Sequence, residues 1–515
     1  MNNINPKWGD WAIKPPSIAD SEIKASLSCD VAILGAGISG VTCALRAAQN
    51  GLKVVVLEKF SKWSGRGGNI GVVSSSYLKE RGYENDVDAV AREWIKRCGN
   101  RCDEEILWLF LKNGCHAMDW LMEIMLRPEY NNRPDLQASL YVGETYREIY
   151  GSHRFFDGPM ARKGMRPGAS DAIYAMYNEA LKLGVKFLFN CPACEIIKVD
   201  ERVSGVIGKS EDGYIKVNAA KGVVIATGDI GGNDEMCQDL APLANRATTK
   251  IYTPKGGNTG DGHRLGLWAG GAFEDDPFPL MLHPQAFHFA NYCFLFVDKK
   301  GRRFMNEDNY IQGKSIAMLR RNMKFAWSIL DADWREKIPA TLPYGGGIFW
   351  EQDHSPTQPR FDLEGAESLM RRGTAAGHIV EADTLEELAE KMDVPVEEFV
   401  ATVKRYNANV AKGHDDDFGK RPELLMGIDK PPYYGLKFGP ALLAVVGGLK
   451  VGTRMDVLDG ENEPIEGLYA IGNAAGGRYG VDYPMLLPGN SHGTALTFGY
   501  ILGDILADKA LPEMR

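Results

Sequence analysis

Two short, wholly apolar runs near the start of the chain frame its clearest hydrophobic pattern. Residues 31–34 (VAIL) and 54–57 (VVVL) are separated by a helix-like segment that ends near Asn50. A short apolar run bounded by glycine is typical of a buried strand in a parallel sheet, and a longer segment with helical spacing is typical of a covering helix. The pattern therefore predicts one βαβ unit over residues 29–58.

Helical periodicity recurs in three later segments. Residues 87–125 carry apolar side chains at three and four spacing, which predicts helices used for packing. Residues 168–184 predict another amphipathic helix that is closed by a glycine. Residues 382–412 predict two helices, the first capped by Asp383 or Thr384.

Strand-like patterns occupy the stretch that follows the second of these segments. An apolar run over residues 222–228 (GVVIATG) ends in small residues, as expected where a second backbone segment approaches a ligand. Turn-forming residues separate it from three further strand-like runs, at 185–189, 195–199 and 203–208. We therefore expect several strands between the helix at 168–184 and residue 228.

The loop inside the βαβ unit reads GAGISG, and the second apolar run closes on an acid. Gly35 permits a tight turn, Gly37 lets the backbone approach a pyrophosphate, and Gly40 lets helix and strand pack closely. The unpaired N–H groups at the helix start attract phosphate, and Glu58 is placed to accept hydrogen bonds from a ribose. Strand, helix, second strand and acid all fall at the expected spacing, so the unit predicts dinucleotide binding.

Length and composition restrict the class of protein. A chain of 515 residues predicts two or more domains, and 44% apolar with 25% charged residues is typical of a globular protein. A net charge of −9 argues against nucleic acid or an anionic membrane as partner.

No stretch approaches the roughly 18 apolar residues of a membrane span, and the first 28 residues show no secretion signal, so we expect a cytoplasmic location. Nine dispersed cysteines read as reduced thiols, and their spacing predicts no metal site.

Two charged features have a structural rather than a chemical interpretation. Arg302 and Arg303 are expected to form structural salt bridges. The acidic run Asp415, Asp416 and Asp417 is expected to be a solvated loop without a ligand role.

The order of these features predicts the domain organisation. We expect an α/β fold: a Rossmann-like dinucleotide-binding domain formed from two sequence segments, 1–270 and 431–515, with an inserted α+β capping or substrate domain at 271–430. Pro431, Pro432 and the two tyrosines after them predict the linker back to the first domain.

Five separated motifs together resemble one family. They are GAGISG at 35–40, GGNIG at 67–71, ATG at 226–228, TGDG at 259–262 and EGLYAIGN at 466–473. From about residue 28 onward the chain resembles the flavoproteins related to fumarate reductase, the succinate dehydrogenase flavoprotein and the 3-ketosteroid dehydrogenases.

This resemblance implies FAD as the cofactor and assigns residues to each part of it. A non-covalent cofactor is expected, because Asn69 and Ile70 stand where covalently flavinylated relatives carry histidine. The implied contacts are Gly35, Gly37, Ser39 and Gly40 on the pyrophosphate; Glu58 on the adenosine ribose; Lys59, Gly67, Gly68, Asn69 and Gly71 along the cofactor; Cys194 at the adenine through its backbone; Thr227 and Gly228 over the nucleotide; Asp261 and Asn473 at the ribityl chain; and the amides of Asn490 and Ser491 at the isoalloxazine.

The chain departs from the fumarate reductases where those enzymes hold their dicarboxylate. Their first arginine follows the NE pair, where this chain has DNYI at 308–311, and their second precedes the last GN pair, where it has LLP at 486–488. Their histidine pair before a GG is replaced by AVV at 444–446. Bidentate guanidinium–carboxylate pairs are the usual clamp for such substrates, so their loss favours a neutral, apolar substrate.

The catalytic candidates follow from the same comparison. Tyr483 and Gly489 match the tyrosine and backbone N–H that polarise a carbonyl in the ketosteroid branch, and Tyr310 lies near the position of the fumarate reductase acid. His283 either contacts substrate or is structural, and His492 either contacts substrate or flavin or belongs to a helix cap. Two further tyrosines, Tyr292 and Tyr479, either line the pocket or belong to the core.

These assignments predict an FAD-dependent oxidoreductase that transfers hydride between flavin N5 and an activated C=C or CH–CH unit next to a carbonyl. Reduction of an apolar enone or ring compound is the first choice, 3-ketosteroid dehydrogenation is the second, and a flavoprotein subunit of an electron-transfer assembly is the third. No second GxGxxG unit is visible, so we expect electrons from a separate reductase, free reduced flavin or NAD(P)H.

Overall fold

A computed structural model describes residues 8–137, 149–156, 158–163, 168–288, 293–344 and 361–510. The strands are β1 (Ile23–Leu34), β2 (Val54–Leu57), β3 (Ile70–Gly71), β4 (Pro134–Gln137), β5 (Ser152–Phe155), β6 (Lys186–Leu188), β7 (Ala193–Val199), β8 (Arg202–Ser210), β9 (Gly213–Ile225), β10 (Thr249–Lys250), β11 (Leu280–Phe287), β12 (Leu295–Val297), β13 (Ala326–Leu330), β14 (Ile379–Ala382), β15 (Tyr433–Val445), β16 (Asp456–Leu458) and β17 (Pro464–Ala470). The helices are α1 (Ile38–Gln49), α2 (Ser76–Glu80), α3 (Val87–Arg97), α4 (Glu104–Met125), α5 (Ala169–Lys182), α6 (Asp234–Leu240), α7 (Asp261–Trp268), α8 (Ile311–Arg320), α9 (Trp334–Thr341), α10 (Leu363–Ala375), α11 (Leu385–Met392), α12 (Val396–Lys412) and α13 (Asn490–Ile505).

The predicted βαβ unit is present as β1, α1 and β2. The two strands are parallel, with Val31 opposite Val54 and Leu34 opposite Leu57. The second half of β1 is buried because it is the centre of the sheet, whereas its first half is largely exposed and was not recognised as strand. The prediction of the unit is confirmed, and only the length of β1 was underestimated.

The first sheet carries its strands in the order β16-β17-β9-β1-β2-β6. The pairs from β17 to β6 are parallel, which is typical of a doubly wound nucleotide fold. The antiparallel strands β7 and β8 extend from the first half of β9, and they confirm the strand-like runs predicted before residue 210. The carboxyl ends of β1, β2 and β9 therefore meet at one edge of the sheet.

The last helix packs directly on the first. A Cβ atom added to Gly499 would lie 2.7 Å from the Ser39 carbonyl oxygen, and one added to Gly503 would lie 2.6 Å from Arg46 Cβ. Glycine at both positions lets α13 approach α1 closely, and most of α13 is buried. This contact brings the start of α13, near the end of the chain, to the glycine turn at its beginning.

A second sheet is organised around β15. Strands β11, β13 and β14 pair antiparallel to it, and β10 pairs parallel to it. Side chains of successive strand residues point to opposite faces, so Phe296 enters one apolar cluster while Leu295 and Val297 enter another. The prediction of a linker at Pro431 and the residues after it is wrong in detail, because Tyr433 already begins β15. The domain limits at 270 and 430 remain a prediction.

The acidic run is not uniformly solvated, contrary to expectation. The Asp415 side chain is fully buried and receives the guanidinium of Arg303 at 2.8 Å, while Arg303 also holds Glu307 at 2.8 Å. Arg303 keeps the pKa of Asp415 at about 2 although burial acts in the opposite direction. The structural salt bridge predicted for Arg303 is confirmed, as is that of Arg302, which pairs with Glu398. Within the described part of the chain, no helix combines the length and apolarity needed to cross a bilayer.

Candidate active site

The glycine turn after β1 has the geometry that its sequence predicts. Gly35 has a φ of +104°, and an added Cβ would lie 2.5 Å from the Ala226 carbonyl oxygen at the end of β9. A Cβ at Gly40 would lie 2.0 Å from the Gly35 oxygen, whereas a Cβ at Gly37 would meet nothing within 4 Å. Gly35 and Gly40 therefore allow close backbone packing, and Gly37 leaves open space in front of the helix start, where a pyrophosphate binds in such turns.

A large cavity begins at this turn and extends to the second sheet. It encloses about 1600 Å³ of space between the protein atoms, part of which is open solvent. Its lining runs from the glycine turn after β1 to residues of β11 and β15. Among the residues that line the nucleotide end are Gly35, Gly37, Ser39, Glu58, Lys59, Ala193, Thr227 and Gly228; the opposite end is lined by residues including Met281, His283, Leu443, Ala444, Tyr483, Met485, Gly489, Ser491 and His492.

Glu58 is held rigidly at the end of β2. Its carboxylate accepts hydrogen bonds from the backbone N–H of Ala36 at 2.7 Å and of Phe60 at 2.9 Å. The side chain is buried, yet it lines the cavity. A carboxylate has about four lone-pair positions, so Glu58 can also accept hydrogen bonds from ribose hydroxyls.

Lys59 and Asp261 form an ion pair in the wall of the cavity. Lys59 Nζ lies 2.8 Å from Asp261 Oδ2, and Asp261 Oδ1 accepts from Thr259 at 2.9 Å and Arg264 at 2.7 Å. Burial acts to raise the pKa of Asp261, but Lys59 and these hydrogen bonds hold it below its ordinary value. The carboxylate is therefore charged and oriented at neutral pH.

The start of α13 is locked onto the glycine loop that follows β2. Gly71 donates its N–H to the Gly489 oxygen at 2.9 Å, and His492 Nδ1 lies 2.8 Å from the Asn69 oxygen. A carbonyl oxygen can only accept, so Nδ1 of His492 carries the hydrogen. A Cβ at Gly67 would come within 2.7 Å of the His492 ring, so the ring fits because residue 67 is glycine.

Tyr483 is a buried phenol with its hydroxyl at the start of α13. The hydroxyl oxygen accepts the Ser491 N–H at 3.2 Å, and the ring centroid lies 5.2 Å from that of Tyr479. Burial raises the pKa of Tyr483 well above its ordinary value, so the phenol is neutral. Its oxygen accepts one bond and still carries a hydrogen, which it can donate to a substrate oxygen.

His283 reaches the cavity from the second sheet. It lies on β11, opposite Ala441 of β15, and only 2% of it is exposed to solvent. Together with Met281 on the same strand it faces the space next to Tyr483. His283 from the second sheet and Tyr483 from the loop before α13 thus line one largely apolar compartment.

Most, but not all, of the site residues expected from the sequence line the cavity. Of the expected positions that do not line it, Gly40 packs α1 on its strand and Gly71 packs against α13. Cys194 lines a separate cavity behind β7, while its neighbours Pro192 and Ala193 line the main one. The remaining expected residues outside the lining are Asn490 and Tyr310.

Asn490 and Tyr310 have structural contacts. The Asn490 amide donates to the Pro484 oxygen at 2.9 Å and accepts from Tyr479, and its own backbone N–H is bonded to the Leu487 oxygen. Tyr310 precedes α8, and the Arg97 guanidinium lies 5.3 Å from its ring centroid. The catalytic and cofactor roles of these residues remain predictions, and Tyr292 lies outside the described residues.

Sequence reasoning missed the environment of Arg66. This arginine lines the cavity, donates to the Tyr252 oxygen at 2.8 Å, and lies 3.4 Å from the fully buried carboxylate of Asp229. Asn258 also donates to Asp229, at 2.9 Å. Burial raises the pKa of Asp229 although Arg66 acts against this. A lone cation inside the glycine-rich loop was the available signal, but its partner was not predictable from the sequence.

The residues present fit FAD. Thr227 lines the cavity, and its Oγ1 is buried without a hydrogen-bond partner among the described atoms. The open space at Gly37, the fixed Glu58 carboxylate and the continuous lining from the glycine turn to the second sheet all match a flavin dinucleotide. Fold and site together define a dinucleotide-dependent oxidoreductase with a substrate compartment next to the nucleotide end.

Comparison with known proteins places the chain within this class. Residues 30–491 match the family described as FAD binding domain, and the chain belongs to that family. It is 29% identical over 498 residues to the vinyl phenol reductase of Lactiplantibacillus plantarum, covering 92% of this chain and 95% of that protein. It is 26% identical to a probable fumarate reductase of Shewanella frigidimarina, covering 95% of this chain and 76% of that one.

A solved structure agrees with the fold. The 3-ketosteroid-Δ4-(5α)-dehydrogenase of Rhodococcus jostii RHA1 superposes with a TM-score of 0.73 at 23% identity, covering 96% of this chain and all of that one. The family, the fold class and the FAD cofactor predicted from the sequence are confirmed, as is the class of FAD-dependent oxidoreductases acting on C=C or CH–CH bonds.

Proposed function

We propose that the protein reduces a carbon–carbon double bond conjugated to a carbonyl group or an aromatic ring in a small, neutral, largely apolar compound. The observation that carries the proposal is the pairing of the cations. Lys59 and Arg66 are the lysine and arginine among the described lining residues, and each is bonded to a protein carboxylate, Asp261 and Asp229 respectively. Neither is available to clamp a dicarboxylate.

The rest of the substrate end supports an apolar compound. Its walls include Met281, Leu443, Ala444 and Met485, and its polar groups are hydroxyl, imidazole and backbone donors. Such groups can orient a carbonyl or phenol oxygen without offering a charge to a carboxylate. The vinyl phenol reductase relative has a substrate of this chemical kind in its name.

The residues that would hold FAD are those of the nucleotide end. The backbone at Gly35, Gly37 and Ser39 would face the pyrophosphate, Glu58 the ribose, and Thr227 the body of the nucleotide. When bound, FAD supplies hydride transfer between its N5 position and the substrate carbon.

The side chains of the substrate end have separate roles in this proposal. Tyr483 donates a hydrogen bond to the substrate oxygen and so stabilises the charge that develops there during hydride transfer. His283, on the wall formed by the second sheet, supplies the proton to the neighbouring carbon. His492 holds the glycine loop in place through Asn69. The apolar walls around these groups limit the water next to the reacting carbons.

The runner-up function is dehydrogenation of a 3-ketosteroid. Tyr483 and the αL turn at Gly489 are the observation that favours it, because a tyrosine hydroxyl beside a helix start can hold a ring carbonyl. The 25% identity to a 3-oxosteroid 1-dehydrogenase of Mycobacterium tuberculosis, over 93% of this chain, supports the same reading. Both functions use one site and differ in the direction of electron flow.

One anaerobic experiment separates the candidates. The flavoprotein is photoreduced and mixed with a vinylphenol, a cinnamate-type acid, an isoflavonoid-type ring compound, a 4-ene-3-ketosteroid and fumarate, and the return of oxidised flavin absorbance is followed. Rapid reoxidation by a neutral apolar compound supports the proposal. Rapid reoxidation by fumarate at micromolar concentration contradicts it, and bleaching of the oxidised protein by a saturated ketosteroid supports dehydrogenation.

Two further parts of the proposal concern the setting of the enzyme. We propose a separate electron donor, which is a reductase, free reduced flavin or NAD(P)H, because the sequence has no second dinucleotide fingerprint. We also propose that the enzyme acts in the cytoplasm. NADH, NADPH or free flavin that has been reduced beforehand is added to the purified enzyme under anaerobic conditions. Bleaching of the bound flavin by one of them identifies that donor, and no bleaching by any of them supports a separate reductase.

A further inference from the structure

A fully buried glutamine joins the two walls of the substrate compartment. Gln312, on α8, accepts the backbone N–H of Leu282 at Oε1 over 2.8 Å. Its Nε2 donates to Asp482 Oδ1 at 2.7 Å and also to the Leu280 oxygen. All these contacts are with two segments that are distant in sequence, β11 and the loop before α13.

Two of the three partners of Gln312 directly precede a residue that has a role in the proposed reaction. Leu282 precedes His283 on β11, and Asp482 precedes Tyr483. The same Asp482 oxygen also accepts the backbone N–H of Tyr483 at 2.9 Å, so the carboxylate is tied to the tyrosine as well as to the glutamine. One side-chain amide thus connects the residue on the second sheet with the residue at the start of α13.

Gln312 satisfies backbone groups of β11 on either side of the register shift between Met281 and Leu282. Helix α8 is already anchored to the second sheet by apolar residues such as Ile311, which belongs to the main core. Burying an amide is unfavourable unless its polar atoms are hydrogen-bonded. Here the hydrogen bonds cross from the second sheet to the segment that packs on the first.

We propose that Gln312 is a positioning residue, whose amide sets the distance between His283 and Tyr483 by holding the residue that precedes each. This inference rests on the proposed function, because it assigns His283 and Tyr483 to the reaction. Gln312 itself is not among the residues that line the cavity, so it would act through these two residues.

The clamp formed by Gln312, Leu282 and Asp482 lies in a charged environment. Arg97 of α3 and the phenol of Tyr310 face Asp482, and the Cys98 thiol donates to its backbone oxygen at 3.5 Å. Burial raises the pKa of the Asp482 carboxyl to about 6, against the hydrogen bonds from Gln312 and Tyr483 and the charge of Arg97. At neutral pH the carboxylate is charged and makes a strong, charge-assisted bond to the amide.

The test uses the holoenzyme and four variants. Gln312→Met keeps the length of the side chain and removes every hydrogen bond. Gln312→Glu sets two carboxylates against each other, and adding Asp482→Asn to it restores an amide–carboxylate bond with the roles reversed. Asn113→Leu is the control, because Asn113 is an equally buried amide that donates to Leu109 within α4, away from the site.

Two readouts are needed, one of which does not depend on turnover. In Gln312→Met we expect the Leu282 amide to exchange with deuterium about tenfold faster and kcat/KM to fall about tenfold, with unchanged FAD content. In Gln312→Glu we expect kcat/KM to fall further, and adding Asp482→Asn should restore most of the activity. Asn113→Leu should change neither readout.

Three results would overturn the inference: unchanged exchange at Leu282 in Gln312→Met, activity of Gln312→Met equal to that of the Asn113 control, or a double variant no better than Gln312→Glu alone. If the wild type turns over none of the compounds, the proposed function fails. The exchange rates of the Leu282 and Tyr483 amides then decide whether Gln312 holds both segments.

Discussion

Replacing Tyr483 with phenylalanine tests the proposed chemistry most directly. The substitution removes one oxygen atom and leaves the buried ring in place. That oxygen has two functions in the proposal: it accepts the Ser491 N–H at 3.2 Å, and it donates its hydrogen to the substrate oxygen. Tyr483→Phe therefore removes a structural bond and a transition-state bond together.

The two losses have different magnitudes. Leaving the Ser491 N–H without its acceptor costs about 1–3 kcal/mol of the free energy of unfolding. Losing a donor that faces developing negative charge lowers kcat by about 100- to 1,000-fold. We expect the second effect to appear in kcat/KM with little change in FAD content, because Tyr483 lies at the substrate end of the cavity.

A neighbouring tyrosine provides the matched control. Tyr479 is equally buried, its ring lies 5.2 Å from that of Tyr483, and its hydroxyl donates to Asn490 Oδ1 at 2.8 Å. Tyr479→Phe should lose a similar 1–3 kcal/mol of stability, roughly one buried hydrogen bond, while kcat/KM stays within a few-fold of wild type. Both variants are assayed by anaerobic flavin reoxidation and by denaturant unfolding. Equal activity losses in both, or full activity in Tyr483→Phe, would refute the assigned role.

Further predictions follow from the glycine turn and the buried carboxylates. Gly37→Val should weaken FAD binding in a titration of the apoprotein without lowering its thermal stability, because the added atoms enter open space. Gly40→Ala should instead lower thermal stability, because its Cβ would lie 2.0 Å from the Gly35 oxygen. Burial raises the pKa of Asp482 from 3.8 to about 6. The contribution of this carboxyl to the free energy of unfolding is therefore complete below its unfolded pKa and is lost as pH rises through about 6. Denaturant unfolding at several pH values should show this loss in the wild type and not in Asp482→Asn. Asp415→Asn should cost about 3–5 kcal/mol in denaturant unfolding, because it leaves the buried Arg303 without one partner, and FAD binding should be unchanged.

Much of the cofactor site was predictable because it is local. The turn from Gly35 to Gly40 and the acid Glu58 belong to one βαβ unit, in which spacing along the chain fixes spacing in space. The same holds for Thr227 and Gly228, which follow a strand next to β1. Parallel strands end at a common edge, so their loops had to meet.

Contacts between distant segments were not predictable in this way. The register of β7 shifts after Ala193, and the two residues before Cys194, not Cys194 itself, line the main cavity; its backbone contact with the adenine stays a prediction. Asp415 was taken for a solvated residue because its neighbours are acidic, yet Arg303 binds it in the interior. For Cys194 the register of the strand decided which residues face the cavity. For Asp415 a partner more than a hundred residues away decided that the side chain is buried.

The sequence by itself therefore determined the class of fold, the dinucleotide turn and the absence of the arginines expected by resemblance to fumarate reductases, since these follow from local spacing and residue type. The tertiary structure alone decided that Lys59 and Arg66 are engaged by Asp261 and Asp229, and that Gln312 ties β11 to the loop before α13. The physical reason is that charge pairing and buried hydrogen bonds depend on distances between elements, which are set by the packing of the whole chain and not by neighbours in sequence.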